Sequence, residues 1–228
     1  DGGGHGLVVV VVPENIVGVN DDHEAVATAI AGSEADVVVL QELQPQLRRG
    51  LAAHPSLAGF HRASDVLDER SQLALWSRWP LADVELSQVA DRPQIEATVL
   101  SPHGEFRVHA VHLAAPVDGE LAADWSEGIA RLRDVETGRP AVVAGDFNAT
   151  DHHVQFRSVL GQGWTDVHHP KGCGFDATWP VAGSRLPVPL LRLDHVLVTE
   201  HWEVLAVTIG PPQGSDHRSV VATVRLRR

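Results

Sequence analysis

Short apolar runs, rich in Val, Leu and Ala, recur along the chain at residues 7–12, 36–41, 73–77, 96–100, 106–112, 141–144, 193–199, 204–209 and 219–226. Their length and β-branched content predict strands. Several are almost uninterrupted rather than alternating, the pattern of strands covered on both faces. Between them lie stretches with helical spacing. Asp22 is placed to cap a helix to about Ala31, with Val26 and Ile30 one turn apart. Pro45 stands near the start of a helix carrying Leu47 and Leu51, where its missing donor costs nothing. Leu121, Trp125, Ile129 and Leu132 make an apolar stripe that reads as core packing, and Thr150 or Asp151 is placed to cap a short helix through Leu160. Strand–helix–strand units stand early and late, with consecutive strands between residues 73 and 112. A purely parallel, alternating sheet would lack that middle meander. The pattern predicts an α/β fold of two mixed β-sheets packed face to face with helices outside. Residues 1–6 read as a linker or tag-like segment, and 7–228 as a single catalytic domain. The longest irregular stretch, 161–191, is rich in Gly and Pro, and loops of that length often carry function.

Composition narrows the picture. The chain has 228 residues, 43% of them apolar, enough for a sizeable core. No stretch approaches the roughly 20 apolar residues of a membrane span, so the chain as given is expected to be soluble. A formal net charge of −12 argues against a broad basic surface for gripping nucleic acid, and a monomer is expected. A nuclease is not excluded, since clustered acids can hold cations that face phosphate. Nearly all the positive charge is Arg; Lys171 is the one lysine. The single cysteine, Cys173, permits no internal disulfide, and no catalytic-thiol motif surrounds it. The chain contains no Met, so Asp1 is not a translation start. A signal peptide, a membrane anchor or an expression tag would each fit ahead of it, which leaves an extracytoplasmic domain of a secreted or membrane-anchored precursor as one possible setting.

The acids of interest stand at strand ends. Residues 36–41 form a buried-looking strand that delivers Glu42 at its C-terminal edge, and 141–145 deliver Asp146 and Asn148. Two residues apart, these last two point the same way if the chain stays extended. Asp194, Asp216 and His217 follow later. An isolated acid at a strand end is ordinarily a turn or surface charge. Several such acids, with no Cys/His cluster of zinc spacing, suit a hard cation that takes oxygen ligands.

Taken in order, these segments resemble the endonuclease/exonuclease/phosphatase superfamily. Gln41-Glu42 resembles its "QE" metal-ligand motif, and Gly145-Asp146-Phe147-Asn148 its "GDFN". Arg192-Leu193-Asp194-His195, preceded by Thr178-Trp179, resembles its "R-[IL]-D-[YH]" strand, and Ser215-Asp216-His217 its closing "SDH". Each motif alone is weak; the order and spacing hold from about residue 7 to 226.

The resemblance implies a four-layer α/β sandwich and a divalent-metal-dependent phosphoester hydrolase using Mg²⁺ or Mn²⁺. By position, Glu42 would bind the metal with help from Asn15, for which Asn20 is a nearby competitor, and Asp216 would lie beside it. Asp146 and Asn148 would place the attacking water and steady the phosphoryl oxygens. His217 would act as general base or phosphate-polarising imidazole, oriented by Asp194, and His112 would contact phosphate and assist the leaving group. The loops 65–71 and 172–190 are the expected substrate walls, with Trp179 and Phe175 available to stack, and Arg70, Arg78, Arg185 and Arg192 are the cations nearest the motifs. Eleven of the histidines, His168, His195 and the others outside residues 106–112 and 217, read as surface or loop residues, with His152 and His153 the ones best placed to face the site. The substrate stays open between nucleic acid, lipid headgroup and small metabolite, with a diester favoured. An enzyme of the same fold diverted to another phosphorylated or specialised substrate, and a catalytically silent binding module, are the alternatives; the complete set of acids and histidines speaks against the last.

Overall fold

Burial on both faces explains why the valine-rich runs become strands. The computed structural model describes residues 7–13, 23–65, 73–172, 176–181, 188–212 and 214–227. In chain order the strands are β1 (Leu7–Pro13), β2 (Val37–Gln41), β3 (His61–Asp65), β4 (Leu73–Ser77), β5 (Leu81–Val89), β6 (Arg92–Ser101), β7 (Gly104–His112), β8 (Ala141–Asp146), β9 (Trp164–Asp166), β10 (Asp194–Thr199), β11 (Trp202–Ile209) and β12 (Val220–Leu226). They form two six-stranded mixed sheets, ordered β11-β12-β1-β2-β4-β3 and β5-β6-β7-β8-β10-β9. β1 pairs parallel with β2 and antiparallel with β12, and β8 pairs parallel with β7 and antiparallel with β10.

Side-chain alternation sorts each strand between two cores. From β2, Val37 and Val39 join a central layer between the sheets with Ala97, Val108, Val142, Ala144 and Val196. Val38 and Leu40 point the other way, into an outer core. That core also takes Val26 and Ile30 of α1 (His23–Gly32) and Leu47 and Leu51 of α2 (Pro45–Ala53). On the far side, Val143 and Leu197 meet Trp125 and Ile129 of α3 (Gly119–Arg131) and Phe156 and Val159 of α4 (Val154–Leu160). The result is helix, sheet, sheet, helix: the four-layer sandwich expected from the chain. Among the described residues no helix is long and apolar enough to cross a membrane.

Three strands escape the hydrophobic pattern: β3, β5 and β9. All three are sheet edges. β5 is exposed along most of its length, and such a strand needs no apolar run. At the fourth helix the expected caps do not act. α4 begins only after His153, while Thr150 donates its N–H to His153 Nδ1 at 3.0 Å and Asp151 is taken up by Arg192 at 2.6 Å. Asp22 lies outside the described residues. α3 is capped by Asp118, whose carboxylate accepts from Leu121 N–H.

Candidate active site

Strand registry brings three distant segments to one row. His112 ends β7 opposite Asp146, and Asp146 ends β8 opposite Asp194, the first residue of β10. All three side chains are buried. His217, in the turn before β12, completes the row: its Nδ1–H donates to Asp194 Oδ2 at 2.8 Å. Glu42 enters from the other sheet, one residue beyond β2, and its carboxylate lies 3.5 Å from His112 Nε2. Glu42 and Asn148 both have left-handed backbones, φ +53° and +45°. Non-glycine residues hold that conformation where surrounding structure fixes them, often at functional sites.

Asn148 corrects one expectation. The chain does not stay extended beyond Asp146, so the two side chains are not brought together by strand alternation. Phe147 turns into the outer core, its N–H bound to Leu193 O at 2.9 Å. The backbone then folds back, so that Asn148 N–H donates to Asp146 Oδ1 at 2.7 Å and Asn148 Nδ2 to Asp146 Oδ2 and Leu113 O. The carboxylate is held by a turn.

A cleft of about 490 Å³ opens here, lined by Glu42, His112, Asp146, Asn148, Asp216 and His217. Trp179 also lines it and donates Nε1–H to Asp216 Oδ2 at 3.1 Å, so this tryptophan positions an acid as well as forming a wall. The cleft thus gathers every site residue expected from the chain except Asn15, which lies outside the described residues, and Asp194, which is fully buried behind His217. Arg70, Arg185, Cys173 and Phe175 also lie outside them. The other two flagged arginines are spent elsewhere: Arg78 donates to Ala35 O, and Arg192 to Asp151.

Arg92 is the residue that sequence reasoning missed. It lines the cleft, and its guanidinium has no hydrogen-bond or ion-pair partner among the described residues. A tight β5–β6 turn through Ala90 and Asp91, both with positive φ, sets it there. Nothing local distinguishes it from any arginine in a polar turn; only the β6–β7 registry, Gln94 opposite Val111, brings it near His112.

The charges in the cleft are unbalanced. Burial pushes the Glu42 carboxyl up to about 6, with neighbouring Asp216 adding to the rise against His217 and Arg92. Burial also raises the Asp146 carboxyl, and Asp194 raises it further. His217 goes the other way from a buried histidine: although burial disfavours its charge, Asp194, Asp146 and Asp216 lift it to about 10, so it is an imidazolium at neutral pH. Burial, then Arg92 and His217, pull His112 down to about 3, so it is neutral and its contact with Glu42 is not an ion pair.

A divalent cation fits this donor set. Oxygen donors dominate, Asp194 Oδ1 and Asp216 Oδ1 are buried with no hydrogen-bond partner among the described residues, and two carboxyls sit raised by burial and by neighbouring acids. Asp146, Asp194 and His217 each offer a ligand atom within 4.8 Å of the others. His217 Nδ1, however, is already bound to Asp194, which leaves the Glu42–Asp216 side of the cleft as the better cation seat.

Behind the site lies a second buried network. Asp166 accepts from His195 Nδ1 at 2.6 Å and from His168 Nδ1 at 2.9 Å, and His195 Nε2–H donates to Ala149 O at 2.9 Å. His195 and His168 are therefore buried, not the surface residues expected. His195 anchors the turn that carries Asn148.

Comparison with known proteins points the same way as the geometry. The sequence profile of the Endonuclease/Exonuclease/phosphatase family matches residues 3–217. No curated protein matches the chain. Among solved structures, an endonuclease/exonuclease/phosphatase from Beutenbergia cavernae superposes with a TM-score of 0.78 at 23% identity, over 98% of this chain and 72% of that one. A D. rerio TDP2 complexed with single strand DNA product gives 0.78 at 16% identity, over 96% and 98%. An AP endonuclease from Archaeoglobus fulgidus gives 0.75 at 18%, over 95% and 98%. At these identities the likeness is one of fold.

Proposed function

The chain belongs to the endonuclease/exonuclease/phosphatase family, and from that premise we propose that it is a divalent-metal-dependent phosphodiesterase. The observation that carries the reading is the convergence of Glu42, Asp146, Asn148, Asp216, His112 and His217, from both sheets, on one cleft. Glu42 and Asp216 would hold Mg²⁺ or Mn²⁺. Bound there, the cation would offset charge on the phosphate oxygens.

The protein's own groups take the remaining tasks. Asp146, fixed by Asn148, orients the attacking water, and its raised pKa lets it accept the proton that water loses. Asn148, both of whose amide hydrogens are taken by Asp146 and Leu113, serves to hold that carboxylate in place. His217, held as an imidazolium by Asp194, donates to phosphate; that choice departs from a general base. Neutral His112 stands beside the same oxygens. Arg92, unpaired among the described residues, clamps a non-bridging oxygen. One free guanidinium among the described residues suits the single charge of a diester better than the two of a monoester.

The test is release of nitrophenolate from bis-p-nitrophenyl phosphate against p-nitrophenyl phosphate, with Mn²⁺ or Mg²⁺ and with chelator. Cation-dependent turnover of the diester is expected, with Glu42→Gln and Arg92→Gln each lowering it, the former about 10²-fold or more. Turnover that ignores chelator, or a Glu42→Gln protein as fast as wild type, would refute the reading.

A further inference from the structure

The cleft has a second kind of lining. Opposite in character to the acids and histidines are Pro116, Val117, Leu191, Leu193 and Trp179, and among them His153. Val117 is 78% exposed and Leu191 40%. Scattered surface hydrophobics are ordinary, but here they concentrate. Eight large apolar side chains are exposed among the described residues, and five of them, Val117, Val154, Val188, Leu190 and Leu191, lie in the three short segments that line or adjoin this cleft.

Among the described residues of that wall, His153 offers a polar group held in place. Its Nδ1 accepts the Thr150 N–H at 3.0 Å, so the neutral ring carries its proton on Nε2. Nε2 has no partner among the described residues, which leaves Nε2–H as a donor at the edge of the cleft. The ring does not swing freely. It packs 5.1 Å from Trp125, whose own Nε1–H is bound to Phe147 O at 2.9 Å. A donor held in place costs little entropy when a ligand arrives.

Charge limits what can sit here. Among the described residues, Arg92 is the one arginine or lysine lining the cleft, in a chain of net charge −12. A polynucleotide brings a row of phosphates that call for several cations. A lone diester flanked by an uncharged group calls for one.

Resting on the phosphodiesterase reading and narrowing it, we propose that Pro116, Val117, His153 and Leu191 form a specificity subsite for an uncharged, apolar ester arm of the scissile phosphate, with His153 Nε2–H donating to an acceptor atom on that arm. The substrate class is a singly charged diester with an apolar arm.

The experiment is a series of p-nitrophenyl phosphodiesters whose second ester is methyl, butyl or 2-methoxyethyl, turned over with Mn²⁺. Each fully buried methylene is worth about fourfold. With partial burial, kcat/KM should rise about tenfold from methyl to butyl, mostly through KM. Val117→Asp and Leu191→Asp, at exposed positions, should collapse that ratio towards one with circular dichroism unchanged. His153→Phe, which keeps an aromatic ring against Trp125, should shift the methoxyethyl-to-butyl ratio about fivefold against the ether. A flat series, an unchanged ratio in both Asp variants, or faster cleavage per phosphodiester of a single-stranded oligonucleotide would overturn the subsite. Folded protein inactive on every ester would sink the phosphodiesterase reading itself, a result distinct from a flat series.

Discussion

Replacing Gly145 with Ala tests the local architecture on which Asp146 depends. Gly145 lies in β8, opposite Val111 of β7, with φ +148°. A Cβ built on it would stand 1.9 Å from Val111 O and 2.9 Å from both Val111 C and Gln41 Nε2. Ordinary carbon contacts are about 3.5 Å or more, so a shift above about 1 Å is needed, against backbone on a buried ladder. The strained φ costs about 1–3 kcal/mol and the overpacking about 1–3 kcal/mol. Together these give about 3–5 kcal/mol, or a fall in Tm of about 10 °C for a chain of this size. Thermal melts followed by circular dichroism read it, with urea unfolding as the second measure. Gly59→Ala is the control: nothing lies within 4 Å of its added Cβ, and its Tm should match wild type closely. A Gly145→Ala protein melting within about 2 °C of wild type would show that the strand yields freely, and the account of why glycine precedes Asp146 would fail.

Two further outcomes follow from buried pairs. Asp194→Asn removes the charge that orients and protonates His217 through a 2.8 Å bond; diesterase turnover should fall about 10²–10⁴-fold with the fold intact, and a rate within threefold of wild type refutes the pairing. His195 has a folded pKa raised above its ordinary value because Asp166, by charge and hydrogen bond, and the Ala149 carbonyl outweigh the burial that disfavours its charge. Its stabilising effect is therefore complete below about pH 6.5 and lost as pH rises through the folded value. Urea unfolding of wild type and His195→Gln should differ more at pH 6 than at pH 9, and an equal difference at both would show that His195 is not held as an imidazolium.

The interior was readable from the chain because central strands have two buried faces. Residues 36–41, 141–144 and 193–199 could hardly be anything else. Three edge strands gave no such sign: His61–Asp65 is mostly polar, Leu81–Val89 is exposed along most of its length, and Trp164–Asp166 is three residues long. The site followed the same division. Glu42, Asp146, Asp194 and His217 stand in short motifs at the ends of apolar runs, so local sequence marks them. Arg92, the tautomer of His153 and the Asp166–His195 pair depend on which strand lies beside which, and no window of neighbouring residues encodes that. The turn at Asn148 was misread because alternation along a strand says nothing about where the strand stops.

The pairing of β1 with β12 joins Leu7 to Val224, and β12 is slotted between β1 and β11. His217 stands in the turn that leads into this last strand. A nascent chain on the ribosome can thus lay down nearly all of its acids and still be inert. Only when the residues through about Leu226 have emerged can the final strand seat itself and draw the imidazole up to Asp194. Assembly of the cleft would then wait on the seating of β12, and a chain cut before that strand would hold a sandwich with its row of acids and histidines unfinished.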